Sequence, residues 1–179
     1  MNIGFDLDRV LINNPPGIPD KIVDKLDKAR TNSHLLYRIP SRPEQLLRRL
    51  TYFSPLRSAI KKNIIFVEDL ARKNGNKHYL ISGRFKFLEK TTRAFAKKYK
   101  FDTIFDAMFF NFNNEQPHIF KDTIVKKLHL DTYVDDDLDL LEYLAKENMK
   151  TTFFWFNHKI EKKLAHNLYA ITDLEDIFQ

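Results

Sequence analysis

Phe5-Asp6-Leu7-Asp8 closes a short apolar run near the N-terminus, and Tyr133-Val134-Asp135-Asp136-Asp137 closes another far along the chain. In each case apolar residues stop abruptly at carboxylates. A buried strand that ends in Asp delivers its side chain to the edge of a sheet, where open α/β folds place their ligands. Two such strands can bring three or four carboxylates to one point. Crowded carboxylates raise one another's pKa and call for positive charge. Hard oxygen donors with incomplete protein coordination suit Mg²⁺, which also grips phosphate.

Working outward from these two runs, strand and helix signals alternate. Ile3 to Leu7 reads as a buried strand, and Asn13-Asn14-Pro15-Pro16-Gly17-Ile18-Pro19 breaks the chain after it. Ile22, Val23, Leu26 and Ala29 recur at helical spacing. Ser41 is placed to cap a helix that starts at Pro43 and Glu44 and carries Leu46, Leu47 and Leu50. A further helical run from about Arg57 to Lys73 stops at Asn74-Gly75. Then come a strand at His78–Ile81, a helix marked by Phe87, Thr91, Phe95 and Tyr99, and a strand at Ala107–Phe112. The rest reads as helix Asp122–Leu128, strand Thr132–Asp135, helix Leu138–Glu147, strand Thr151–Phe156, strand Tyr169–Ile171 and a last turn at Leu174–Ile177. This alternation predicts an α/β fold with a parallel sheet covered by helices on both faces. Residues 1–13 and 63–179 form the expected core, and 14–62 form a small helical cap inserted after the first strand.

The charge supports that division. Residues 13–62 hold eleven Lys and Arg against four Asp and Glu, a net +7, in a chain whose total is +6. A basic lid over an anionic substrate is one reading, and a solvated helical surface is the other. The chain has no cysteine, which excludes disulfides, thiolate chemistry and Cys-type zinc sites. Its six histidines are scattered without zinc spacing, and no Walker-type phosphate loop is present. No stretch approaches the roughly 20 apolar residues of a membrane-spanning helix. The first residues lack the basic region of a signal peptide, so a cytoplasmic protein without a membrane partner is expected.

Four elements then line up in order, each beside a predicted strand: Asp6 with Asp8, Ser82 in Leu80-Ile81-Ser82-Gly83-Arg84, Lys121 in Phe120-Lys121-Asp122, and Asp135-Asp136-Asp137 with Asp139. Their order and chemistry resemble the haloacid dehalogenase (HAD) superfamily of phosphatases. Together they are more specific than the D-x-D pair alone. The resemblance spans residues 1 to about 177 and implies a HAD-like, Rossmann-like core with a cap that chooses the substrate. It implies a phosphomonoester hydrolase that works through an aspartyl-phosphate, with Asp6 as nucleophile and Asp8 as general acid and base. Ser82 and Gly83 would hold a phosphoryl oxygen, and Lys121 would keep phosphate and nucleophile in register. Mg²⁺ would be held at Asp6, at Asp8 through its backbone carbonyl, and at Asp135 or Asp136, with Asp139 third in order.

Lys126 and Lys127 fall inside the helical pattern and are expected to face solvent, whereas Lys121 is expected just before that helix. Asp137 is expected at a helix N-terminus, complementing the dipole. Arg9 stands where the family usually has Gly; it could bring a guanidinium to the phosphate. Arg42, Arg48, Arg49, Arg57, Lys61 and Lys62 make the cap positive, and one of Arg48 and Arg49 can face the site. Tyr37, Tyr52 and Phe53 either stack on a base or fill the cap. The short spacing from Lys121 to the acidic cluster is similar to deoxyribonucleotidase-like members. The expected substrate is therefore a nucleotide or another small phosphorylated metabolite. A phosphatase acting on polynucleotide ends and a non-catalytic module that binds phosphate or nucleic acid are the alternatives.

Overall fold

A computed structural model describes residues 1–14, 28–30, 35–52, 57–73, 75–156 and 164–178. The core is a parallel sheet of six strands in the order β5-β4-β1-β6-β7-β8. The strands are β1 (Asn2–Phe5), β4 (Lys77–Ser82), β5 (Ala107–Phe110), β6 (Thr132–Asp135), β7 (Thr152–Phe156) and β8 (Leu168–Ile171). A separate antiparallel ribbon joins β2 (Lys28–Arg30) to β3 (Leu35–Tyr37). Among the described residues the helices are α1 (Arg42–Thr51), α2 (Lys61–Arg72), α3 (Glu89–Lys98), α4 (Pro117–Leu128) and α5 (Leu138–Glu147). Short 3₁₀ turns at Lys86–Leu88 and Phe101–Thr103 flank α3, and another at Leu174–Phe178 ends the described chain.

Alternation along each strand builds two apolar layers, one on each face. Phe5, Leu80, Val134 and Phe154 pack with Ile64 and Val67 of α2 and with Phe95 of α3. Tyr79, Ile81, Tyr133 and Phe153 face the other way, against Phe120 and Ile124 of α4 and Leu140, Leu141 and Leu144 of α5. Strands buried on both faces read as continuous apolar runs, as the sequence shows. This Rossmann-like α/β architecture is consistent with a HAD-like core. At Gly4 a Cβ would lie 2.7 Å from Leu130 and 2.8 Å from Tyr133, so the centre of the sheet has no room for a side chain there.

Strand order decides where a ligand can sit. From β1 the chain steps outward through β4 to β5, then returns to the other side of β1 for β6, β7 and β8. The reversal leaves a crevice at the carboxyl ends of β1 and β6, the position at which open α/β sheets bind ligands. The Asp6 N–H donates to the Val134 carbonyl at 2.9 Å and holds the two strand ends together.

Three local expectations are corrected. Ala29 lies in β2, not in a helix, because Lys28–Arg30 pairs with Leu35–Tyr37; Ile22, Val23 and Leu26 lie outside the described residues. Arg57 is not helical. The chain around it is fixed by Asn13 N–H to Ser58 O and Ile60 N–H to Leu11 O, both at 2.9 Å, so α2 starts only at Lys61. Lys121 lies inside α4, which begins at Pro117. Proline is pre-shaped for the first turn of a helix and moves the start upstream of Asp122. Ser41 does stand at the N-cap of α1, but without a side-chain capping bond, and Leu46, Leu47 and Leu50 are exposed. No described helix is long and apolar enough to cross a membrane.

Candidate active site

The crevice gathers side chains from three adjacent strand ends and one helix. Asp6 follows β1 directly, and Asp135 is the last residue of β6. Lys121 sits in the second turn of α4, where a long side chain points back toward the helix N-terminus and so toward the sheet edge. Its ammonium donates to Asp6 Oδ1 and to Asp135 Oδ2, both at 2.6 Å, and all three side chains are buried. Tyr133 adds a hydrogen bond to Asp135 Oδ2 at 2.9 Å. The other Asp6 oxygen accepts the Asp8 N–H at 2.7 Å, and Asp135 Oδ1 accepts the Asp137 N–H at 3.1 Å.

Carboxylate oxygens of Asp6, Asp135 and Asp136 all lie within 4.8 Å of one another. Burial pushes the Asp6 carboxyl up to about 7 against the pull of Lys121, with Asp135 and Asp8 adding to the rise. Burial likewise outweighs Arg9 at Asp136 and holds that carboxyl well above the usual range. For Lys121, burial opposes the charge, but Asp135 and Asp6 overcome it and hold the ammonium charged. The cluster is therefore short of positive charge even with Lys121 and Arg9 in place. An all-oxygen donor set in that condition fits a hard divalent cation such as Mg²⁺.

Asp8 lines the same cavity but has different partners. Arg84 grips it twice, Nε to Oδ2 and Nη2 to Oδ1, each at 2.7 Å, and Arg57 Nη1 reaches Oδ1 at 2.6 Å. Both guanidiniums are buried, and both lie over the Tyr52 ring, at 4.3 Å for Arg57 and 5.0 Å for Arg84. Burial alone would raise the Asp8 carboxyl, but Arg84 and Arg57 overcome it and hold Asp8 well below the usual carboxylate range. Arg57 also donates Nε to the Asn13 carbonyl at 2.8 Å, which ties the returning chain to the turn after β1.

Other expected residues take distinct places. Arg9 has φ 57°, the left-handed region that a Gly would enter freely and that costs other residues about 1–2 kcal/mol. Its guanidinium ion-pairs with Asp136. Ser82 ends β4, but its hydroxyl is buried under the Arg84 N–H at 3.4 Å and does not line the cavity that holds Asp6 and Asp8. Gly83 does line it; a Cβ there would lie 3.1 Å from Pro117 and 3.5 Å from the Lys121 side chain. Arg48 lines the same cavity and pairs with Glu44 at 3.0 Å, while Arg49 turns to a neighbouring cavity. Asp137 caps α5 by accepting the Leu140 N–H, and it also takes Lys28 Nζ and Tyr37 Oη, each at 2.6 Å. Asp139 takes the same ammonium at 2.7 Å and stays outside the carboxylate cluster. Phe53 lies outside the described residues, Lys61 is exposed, and Lys62 pairs with Asp173 away from the site.

Sequence reading did not give Arg84, Arg57 and Tyr52 their places. A signal for Arg84 was present: two residues past Ser82 along an extended chain, a side chain returns to the same side. For Arg57 there was none, since it meets Asp8 across 49 residues of chain.

No family model matches the chain, and no curated protein was found to match it. Among solved structures, a chain of the Pnkp1/Rnl/Hen1 RNA repair complex is similar at 18% identity with a TM-score of 0.47. The match covers 85% of this chain and 40% of that one, so this chain corresponds to less than half of its neighbour's length.

Proposed function

We propose that this protein is a HAD-type phosphomonoester hydrolase that uses Mg²⁺ and acts on a phosphorylated nucleotide. The observation that carries the reading is Asp6: a buried carboxylate at the carboxyl end of the central strand, held by Lys121 and set within 4.8 Å of two further carboxylates.

The chemistry follows from these groups. An Asp6 oxygen attacks phosphorus in line, and the ester bond to the leaving alcohol breaks as the acyl-phosphate forms. Lys121 holds the attacking carboxylate in place. Its charge, with Arg9 nearby, favours the phosphoryl oxygens. The leaving alkoxide takes a proton from Asp8, and Asp8 later removes one from the water that cleaves the acyl-phosphate. That second attack releases inorganic phosphate and restores Asp6. A divalent cation held by Asp6, Asp135 and Asp136 would neutralise the charge that develops between nucleophile and phosphate. Arg84 and Arg57 stabilise the Asp8 carboxylate and so oppose its protonated form in both halves, as proton donor to the leaving group and as the acid formed when water is deprotonated.

A pure binding module has no use for a carboxylate aimed at the phosphate, since like charges repel. The reading is tested with purified protein on a panel of phosphomonoesters, with and without Mg²⁺, beside Asp6→Asn. Phosphate release that needs both Mg²⁺ and Asp6 is the expected result. Release that survives Asp6→Asn at near the original rate would overturn the assignment.

A further inference from the structure

The catalytic cavity has about 130 Å³ of space. Sites that enclose a whole small ligand run roughly 300–1,000 Å³. The crevice thus takes a phosphoryl group and little of what the phosphate is attached to. Next to it lies a cavity of about 670 Å³, between α1 and the start of α3. Phe87 lines both, so the two spaces meet across one residue. Arg49 donates Nε to the Phe87 carbonyl at 3.0 Å and fixes α1 to that dividing wall.

The lining of the larger cavity is cationic. Arg49, Lys86 and Lys90 contribute three positive charges. Against them stands Glu89, whose carboxylate is already paired with Arg93 at 2.9 Å. Lys86 and Lys90 are exposed, and among the described residues neither ammonium has a hydrogen bond or an ion pair. A free nucleotide offers this surface nothing to pair with, because its single phosphate is held at Asp6 and its nucleoside is neutral. A polynucleotide offers a row of phosphodiesters leading away from the terminal phosphate, with bases that stack on aromatic side chains such as Phe87.

We propose that the Arg49–Lys86–Lys90 cavity is the subsite for the nucleotides next to the terminal phosphate of a single-stranded polynucleotide. The preferred substrate is then a phosphorylated strand end rather than a free nucleotide. This rests on the phosphomonoesterase reading above.

The test compares wild type with Lys86→Gln/Lys90→Gln on three substrates across a salt series. They are an oligonucleotide phosphorylated at its 3′ or 5′ end, a nucleoside monophosphate and an aryl phosphate. Wild type should favour the oligonucleotide. The double variant should lower the ratio of oligonucleotide to aryl-phosphate kcat/KM by on the order of tenfold. Its salt slope for the oligonucleotide should be shallower by about 0.7 for each phosphate that is no longer neutralised. An unchanged ratio and slope, or a wild type that treats free nucleotide and oligonucleotide alike, would overturn the proposal. If no ester is hydrolysed at all, the phosphatase reading fails separately. The subsite is then judged by fluorescence anisotropy of an unphosphorylated oligonucleotide on Asp6→Asn, with and without the two lysine changes. Salt-sensitive binding that the lysine changes weaken supports the subsite; equal binding, or none, refutes it.

Discussion

The Asp8 carboxylate is gripped by two buried guanidiniums, those of Arg84 and Arg57. D-x-D spacing puts Asp6 and Asp8 on the same side of the chain end, and both are at the crevice. What spacing could not show is the pair of guanidiniums on Asp8, which arrive from 76 and 49 residues away. Such partners leave no local pattern, because only the closed fold brings them together. The clamp makes two predictions. Asp8→Asn keeps the shape and should lower turnover by roughly 10²–10⁴-fold, the range of general acid–base catalysis. If Asp8 acts mainly as base, a good and a poor leaving group should lose about equally; a much larger loss for the poor one would make proton donation its dominant part. Arg57→Met leaves Asp8 still held by Arg84, so the penalty should fall below the 3–5 kcal/mol of a fully orphaned buried charge, at about 2 kcal/mol. Urea unfolding would measure it, and an undiminished midpoint would show that the Arg57 contacts add no net stability.

At the scale of elements, the strands and α5 were legible because burial on both faces leaves apolar runs that stop at polar turns. The ribbon β2–β3 was not, since three-residue strands carry too few side chains to show alternation. Its position is fixed by contacts made across the molecule. Lys28 reaches Asp137 and Asp139, Tyr37 reaches Asp137, and the Tyr37 N–H and carbonyl both bond the Gln116 side chain at 2.8 and 3.2 Å. Burial and the Asp137 charge push the Tyr37 hydroxyl well above its usual pKa, so it stays a donor throughout the working pH range. Lys28→Met with Tyr37→Phe should release the ribbon from α5. Hydrogen exchange at the amides of β2 and β3 should then speed up while β1 and β6 stay protected. Unaltered exchange in the ribbon would show that other contacts hold it.

Across the whole molecule, the sheet order turns a linear pattern into a site. Because the chain reverses between β5 and β6, the two acidic strand ends become neighbours on either side of one crevice. The sequence already showed the carboxylates and Lys121; the helix start at Pro117 changed only how Lys121 is delivered. The basic segment proved mixed. Arg57 is buried in the site's foundation, Arg48 lines the cavity around Asp6, and Arg49 faces the cavity beside it. A net charge summed along the chain cannot separate those roles. The buried carboxylate cluster also predicts that Mg²⁺ stabilises the fold. At 100 times its dissociation constant a bound ion adds about 2.7 kcal/mol, which for a chain of this size raises Tm by roughly 5–10 °C. Asp136→Asn should remove most of that rise, and a Tm indifferent to Mg²⁺ would argue against a cation at this cluster.

In the proposed reaction Asp6 becomes phosphorylated. Turnover is quenched in acid during steady state and the protein is treated with borohydride, which reduces an acyl-phosphate to an alcohol. Peptide sequencing by mass spectrometry should then find homoserine in place of Asp6 and leave Asp8, Asp135 and Asp136 intact. Turnover with unmodified Asp6, or with the reduced residue at another carboxylate, would rule out an Asp6 phosphoenzyme.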